Sequence, residues 1–401
     1  MKPDRGVDWL TLLIATSGSA YGAFIPVYLT SQGWTQTRIG LVLTISTIAS
    51  VVCLVPAGFL VDSVGPRRRR LLTCALLGVG IAPLTLSLFP HPFPVVAAMV
   101  LQAASGAVLT PAIAALSLAL VGHDALGDRL GRNARYGSIG AGLGALVMGA
   151  CATWGPERVV FLIAGLLMVP ALLALRAVGP DRLDPEPVHE DETVVVDRFA
   201  LLRDGRLVVF GLCLALFQIA SIAVVQLSSV AVTARLGAQA GMVIAAFVVV
   251  PQFVAAWLSP WIGSLARRHG RRPVLLVGFM TVPIRGLLFS LIAQPVALIP
   301  VQALEGVGGS VFGVMMPLVA ADLTRRTGYY SVCLGLLGLA DGIGTAISPT
   351  LAGWVADIWG RQAAFWVLTG VGVAAVALLA LAMPETYRPI AQRRAQTART
   401  A

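Results

Sequence analysis

Long stretches without a charged side chain constrain the fold of this chain more than any other feature. Leu10–Leu29 and Val95–Val121 contain no Asp, Glu, Lys or Arg. About 20 predominantly apolar residues are enough to cross a bilayer as a helix. Across all 401 residues only 12% are charged, whereas an ordinary soluble domain is roughly 25% charged. We therefore expect an all-α integral membrane protein.

Apolar runs separated by turn and charge clusters predict twelve transmembrane helices. In the first half they are expected at about 8–30, 37–61, 71–89, 93–121, 136–154 and 157–178. In the second half they are expected at about 206–234, 241–263, 273–292, 295–321, 331–357 and 361–383. The chain then divides into an N-terminal six-helix bundle (1–178), a cytoplasmic linker (179–205), a C-terminal six-helix bundle (206–386) and a basic cytoplasmic tail (387–401).

The distribution of the basic residues supports this number of spans, because Lys and Arg gather in short cytoplasmic loops. Of the 29 basic residues, 24 lie before the first helix, in alternate loops, in the linker or within three residues of it, or in the tail. The opposite loops hold only Arg38, Arg158, Arg235 and Arg361, and Arg285 lies within a span. We therefore expect a multi-pass protein of the cell (inner) membrane with both termini in the cytoplasm.

The formal charge of +10 does not indicate a nucleic-acid partner, because the arginine runs lie between apolar segments and lack interleaved aromatic residues. The five cysteines are far apart and have no metal-ligand spacing. The chain also lacks a His-Glu-x-x-His pair, a Gly-x-Ser-x-Gly elbow and a phosphate-binding loop. We expect no enzymatic activity, no metal and no cofactor.

Three pairs of segments indicate an internal repeat with a period near 200 residues. They are Gly58–Arg68 with Gly263–Arg272, Gln102–Gly106 with Gln302–Gly306, and Trp154–Gly155 with Trp359–Gly360, offset by 205, 200 and 205 residues. Because each predicted half has an even number of spans, the halves have the same orientation. A parallel repeat of this kind places its substrate site near the bilayer midplane where the repeats meet.

The segment after the second helix has the pattern G-x-L-x-D-x-x-G-x-R-R, with Gly58, Leu60, Asp62, Gly65 and Arg67-Arg68 in its fixed positions. It resembles the cytoplasmic signature of the major facilitator superfamily, and the resemblance extends over essentially the whole chain. The resemblance implies a secondary transporter that works by alternating access.

The signature also implies a gating motif made of Gly58, Asp62, Gly65, Arg67 and Arg68. We expect Asp62 to accept hydrogen bonds from free amides at the N-terminus of another helix. By resemblance, this latch joins the two halves on the cytoplasmic side and favours the outward-open state. The arginines also set the topology, and that role alone is the alternative. In the second copy Arg267 replaces the acidic residue, so no symmetric latch is expected.

Three ionisable residues fall well inside predicted spans, where such residues are costly and often functional. They are Arg285 in the ninth, Glu305 in the tenth and Asp341 in the eleventh helix. Arg285 and Glu305 have similar expected depths and can form an ion pair, either structural or functional. Asp341 has no obvious basic partner and favours its uncharged form in apolar surroundings. It is expected to carry a proton or, alternatively, to be a hydrogen-bonded structural acid.

The resemblance implies that the first, fourth, seventh and tenth helices line the substrate path. Their polar residues Tyr21, Gln102, Gln218, Gln226 and Gln302 are candidates for that path. Drug-proton antiporters of the superfamily usually carry an arginine in the fourth helix, where this chain has Gln102. The residues expected to line the path are mostly neutral. This favours an amphipathic or cationic organic compound as the substrate over a multiply charged anion.

These observations predict proton-coupled efflux of a small organic molecule by a monomeric transporter, with protons and the lipid bilayer as its partners. Import of a nutrient or metabolite by the same fold is the alternative. A non-transporting membrane sensor is a second alternative of another class.

Overall fold

The computed structural model describes residues 3–34, 36–64, 68–154, 158–178, 204–236, 240–292, 294, 296–325 and 329–386. Every regular element in these ranges is a helix. The α-helices are α1 (Pro3–Ser31), α2 (Gln36–Ser63), α3 (Arg68–Leu88), α4 (Pro92–Trp154), α5 (Arg158–Leu166), α6 (Met168–Ala177), α7 (Gly205–Leu236), α8 (Ala240–His269), α9 (Arg271–Leu291), α10 (Ala303–Leu323), α11 (Tyr330–Trp359) and α12 (Arg361–Ala382).

The lengths of these helices agree with twelve membrane spans. In the described residues, ten helices are long and apolar enough to cross a bilayer, with α5 and α6 forming one span. The 29-residue α1 adds an eleventh. The 63-residue α4 supplies two, because Gly122 interrupts it with a φ of 68° that only glycine adopts readily. The all-α fold predicted from the sequence is confirmed.

The predicted loop at 122–135 is wrong, because the helix resumes immediately after Gly122. Leu126 and Leu130 lie one turn apart and are both buried, as expected for an amphipathic helix. The charged residues between them hide this period in the sequence. One of these, Arg129, is only 3% exposed and is not the solvated loop residue that was predicted.

The tenth predicted span is also less regular than expected. It starts with two 3₁₀ turns, Val296–Leu298 and Pro300–Gln302, and α10 begins only at Ala303. Pro300 cannot donate a backbone hydrogen bond, which favours a break at this point. As a result Gln302 precedes the α-helix and Glu305 lies in its first turn.

The chain forms two compact units. Unit 1 comprises Met1–Leu126, Arg135–Val194 and Gly328–Gly335, and unit 2 comprises Gly127–Ala134, Val195–Thr327 and Leu336–Ala401. Unit 1 has a buried apolar cluster around Leu29, Leu86 and Phe161. Unit 2 has one around Phe247 and Phe289. Most of the predicted linker, residues 179–203, and the tail, 387–401, lie outside the described residues.

Candidate functional site

Three helices of unit 2 meet at a buried arginine. Arg285 of α9 is 1% exposed, and its Nη1 forms an ion pair with Oε2 of Glu305 on α10. Its Nη2 donates to the backbone oxygen of Ser221 on α7 at 2.6 Å and to the Ser221 Oγ at 3.0 Å. The Ser221 hydroxyl in turn donates to Glu305 Oε2 at 3.1 Å. The ion pair predicted from helix depth is therefore present, and Ser221 contacts both of its members.

A second carboxyl group is bound to the same face of α7. Gln218 Nε2 donates to Oδ1 of Asp341 on α11 at 2.5 Å. Gln218 and Ser221 are three residues apart, so they lie side by side on the helix surface. Among the described residues, no Lys, Arg or His side chain forms an ion pair with Asp341. When Glu305 and Asp341 are both ionised, the single positive charge of Arg285 neutralises only one of the two negative charges.

An aromatic group adjoins this polar cluster. The Phe217 ring, next to Gln218 on α7, stacks on Phe312 of α10 with centroids 5.2 Å apart. It also packs at a tilt against Phe279 of α9, at 4.9 Å. Aromatic rings at these separations attract each other and exclude water. Phe217 therefore joins the same three helices that hold Arg285 and Glu305.

Unit 1 contains the contact predicted for Asp62. Its Oδ1 accepts a hydrogen bond from the Ser331 amide at 3.1 Å, and its Oδ2 accepts one from the Val332 amide at 2.9 Å. Both amides belong to the first turn of α11, where backbone N–H groups have no partner within the helix. One turn earlier on α2, Gly58 lies so close to the Ser331 carbonyl that a Cβ atom would collide with it.

The other residues of the motif are only partly described. Arg68 begins α3 and is half-buried. Gly65 and Arg67 lie outside the described residues. The contact of Asp62 with α11 is thus present, and the gating role of the motif stays a prediction.

Replacing Asp62 by Asn should slow transport about tenfold while the protein still inserts and folds. Asn has one acceptor oxygen in place of two, and a charge-assisted hydrogen bond contributes about 1.5–3 kcal/mol. The measurement is initial transport rate per molecule of purified protein in liposomes. Ser63→Ala is the matched control, because the exposed Ser63 hydroxyl bonds only within α2, to the Leu60 carbonyl. An Asp62→Asn rate equal to that of the control contradicts the latch.

Unit 2 contains a counterpart with a different charge arrangement. Arg267 at the end of α8 forms a 2.6 Å salt bridge with Asp128 of α4. Gly263, one turn earlier, lies against the backbone of Gly127. Arg267 follows Asp62 by 205 residues, and Asp128 precedes Val332 by 204. The second copy therefore does not repeat the acid-to-amide contact of Asp62: its acid, Asp128, lies on the partner helix, in the segment predicted to be a loop, and pairs with the Arg267 side chain.

Exchanging the two charges of this pair tests whether it contributes to transport. Arg267→Asp and Asp128→Arg should each lower the transport rate up to about fivefold, since a partly exposed salt bridge is worth about 0.2–1 kcal/mol. The doubly exchanged protein should recover most of the loss. Equal losses in the single and double variants, measured as initial rates, would show that the pair makes no specific contribution.

Comparison with known proteins identifies the family of this chain. A family model described as Major Facilitator Superfamily matches residues 8–263 and 232–401. The chain belongs to the major facilitator superfamily. An uncharacterized MFS-type transporter of Mycobacterium tuberculosis is 32% identical over 398 residues, covering 95% of this chain and 93% of the relative. This chain is accordingly a multi-pass membrane transporter.

Two further comparisons define how far the likeness reaches. Multidrug resistance protein D of Escherichia coli is 30% identical over 128 residues, which is 32% of either chain. The crystal structure of the human organic anion transporter MFSD10 has a TM-score of 0.71 at 18% identity. It covers 94% of this chain and 100% of that one. At this identity the likeness establishes the shared major facilitator fold.

The remaining predicted path residues of this major facilitator protein either form no hydrogen bond to the cluster among the described residues or have side chains outside them. Gln302 is fully buried, and neither of its amide atoms has a hydrogen-bond partner among the described residues. Gln102 belongs to unit 1, and its buried Oε1 likewise has none. The side chains of Tyr21 and Gln226 lie outside the described residues. The described residues also contain no group of three or more His, Cys, Asp or Glu that could hold a metal.

Proposed function

We propose that this protein is a proton-coupled exporter of amphipathic organic cations and that Asp341 exchanges a proton for the cation. The observation that supports the proposal is the unequal pairing of the two acids that contact α7. Glu305 has a guanidinium partner, whereas Asp341 has the neutral amide of Gln218. A carboxylate in a membrane interior without a counter-charge is costly. Binding either a proton or a cation relieves that cost.

Antiport follows if the two ligands exclude each other at Asp341. A proton that enters from the acidic side displaces the bound cation, and a cation that binds from the other side releases the proton. With protons moving inward down their gradient, the organic cation moves outward. The half-buried Asp341 side chain suits such an exchange, because a fully enclosed group could not be reached by an organic molecule.

In this proposal the Arg285–Glu305 pair has a supporting role. Arg285 already satisfies Glu305, and both are bonded to Ser221. The pair fixes the rotation of α7 about its axis and hence the direction in which Gln218 points. The local match to Multidrug resistance protein D supports efflux, although it covers only 32% of the chain. We further propose that the transporter is a monomer in the inner membrane with cytoplasmic termini, and its arginine distribution supports that orientation of the termini.

Flux measurements in liposomes with an imposed pH gradient test this function. The probe is the cation tetraphenylphosphonium, and triphenylphosphine oxide is its neutral control. We expect the cation to move against the proton flow, to follow the sign of the gradient, and to stop moving when a protonophore removes that gradient. Movement of the cation with the protons would favour the importer. Equal transport without a gradient would contradict proton coupling.

A further inference from the structure

The Ser348 hydroxyl of α11 lies within the backbone of a neighbouring helix. Ser348 is fully buried, and its Oγ donates to the Ile219 carbonyl of α7 at 2.6 Å. The same Oγ accepts a hydrogen bond from the Ala223 amide at 3.0 Å. In a regular α-helix, residue 223 would donate directly to residue 219. The hydroxyl therefore bonds to the same amide and the same carbonyl that form this backbone hydrogen bond in a regular α-helix, and competes with it.

Such an insertion differs from the hydrogen bonds of two other buried serines of unit 2, Ser259 and Ser310. The hydroxyls of Ser259 and Ser310 each donate to the carbonyl four residues earlier in their own helix, as serines in membrane helices commonly do. A side chain inserted into the i to i−4 ladder of another helix is a recognised cause of bending. A hydroxyl that bonds to both groups competes with the direct link between them and leaves neither group unpaired.

This turn of α7 adjoins the residues that form hydrogen bonds with the two acids. Gln218 and Ser221, the partners of Asp341 and Glu305, lie just before and within residues 219–223. Ser348 follows Asp341 by seven residues, two helical turns, so both lie on the same face of α11. α11 consequently binds α7 at two levels, through Asp341 at Gln218 and through Ser348 at the backbone one turn further.

The equivalent position of the first repeat has no hydroxyl to insert, as the following offsets show. Gly344 of α11 packs against the Ala215 carbonyl of α7, and Gly140 of α4 packs in the same way against the Leu12 carbonyl of α1. These two glycines are 204 residues apart, and the same offset relates Ser348 to Gly144, which has no side chain. The inserted hydroxyl therefore belongs to the unit that also carries Arg285, Glu305 and Asp341. General packing of the fold does not require it.

We infer that Ser348 is a positioning residue that keeps a hinge open in α7, so that Gln218 and Ser221 move as Asp341 exchanges its ligand. This inference rests on the proposed function for its effect on transport. The hinge itself is independent of that function. When the hydroxyl is removed, the Ile219 carbonyl and the Ala223 amide can bond only to each other, and we expect α7 to become stiffer at this turn.

Ser348→Ala tests the hinge by two readouts. Hydrogen exchange of peptides covering residues 219–225, measured by mass spectrometry, should slow about fivefold or more as local opening becomes rarer. The maximal rate of tetraphenylphosphonium exchange should fall by a similar factor, with an unchanged half-saturating concentration. Ser348→Thr retains the hydroxyl and should restore both values. Ser310→Ala removes an equally buried hydroxyl that bonds within its own helix and should change neither.

The two readouts separate the hinge from the proposed function. Slower exchange in Ser348→Ala without any proton-coupled flux in the unmodified protein would support the hinge and contradict the proposed function. Unchanged or faster exchange at 219–225 in Ser348→Ala would overturn the hinge, whatever the transport rate. A loss of thermal stability with parallel changes in all variants, Ser310→Ala included, would likewise overturn it.

Discussion

Asp341→Asn is expected to abolish most of the transport that a pH gradient drives. Asn cannot bind or release a proton, and it offers no charge to a cation. We expect gradient-driven flux of tetraphenylphosphonium to fall about tenfold or more, the change that about 1.4 kcal/mol produces in a rate. Exchange of labelled for unlabelled cation without a gradient should also fall, because the binding charge is lost. Both rates are measured in liposomes with equal amounts of reconstituted protein.

Asp357→Asn is the matched control for this variant, since Asp357 lies on the same helix but is exposed near its far end. It should retain the gradient-driven flux. The double variant Glu305→Gln/Asp341→Asn removes both acids of the cluster. Undiminished gradient-driven flux in that double variant would eliminate a coupling role for either carboxyl group.

Glu305→Gln alone is expected to destabilise unit 2 severely. Arg285 is 1% exposed, and without the Glu305 carboxylate its charge is buried with Ser221 as its one remaining hydrogen-bond partner among the described residues. Breaking one side of a buried pair costs about 3–5 kcal/mol, and we expect the lower end because Glu305 itself is 32% exposed. The midpoint of thermal unfolding in detergent should fall by several degrees. The double variant Arg285→Gln/Glu305→Gln should recover most of that loss, because no unpaired charge remains.

This pair of variants also separates the two acids by role. If Asp341 carries the proton, the stable Arg285→Gln/Glu305→Gln protein should still couple flux to the pH gradient, with weaker cation binding. If that protein has normal stability but no longer couples flux to the pH gradient, the proton is bound by Glu305 and not by Asp341. Equal stability of Glu305→Gln and the unmodified protein would show that the ion pair is not energetically important.

The number of spans could be predicted from the sequence because lipid leaves few options. A backbone in hydrocarbon must satisfy its own hydrogen bonds, so each long apolar run becomes a helix. Outside the hydrocarbon, water can satisfy the backbone, so the constraint no longer applies. The secondary-structure prediction failed in one such segment. Residues 122–135 were predicted as a loop from their charges, yet they continue α4 and bring Asp128 to Arg267.

The contacts of the site could be predicted from the sequence where the depth of a residue along its helix determines which side chains meet. Arg285 and Glu305 were expected at similar depths, and they pair. The contact of Gln218 with Asp341 depends on how α7 and α11 are rotated about their axes, which the uniformly apolar sequence does not encode. For the same reason the sequence offered no sign that Ser348 bonds to the α7 backbone. Its spacing of seven residues from Asp341 is the one available signal.

Proton release on ligand binding tests the exchange at Asp341 most directly. When tetraphenylphosphonium is added to the purified protein in weakly buffered detergent, binding should release up to about one proton per cation, because ligands that exclude each other are thermodynamically linked. Asp341→Asn should release none. Cation binding without proton release by the unmodified protein, or the same release from Asp341→Asn, would contradict the proposed mechanism.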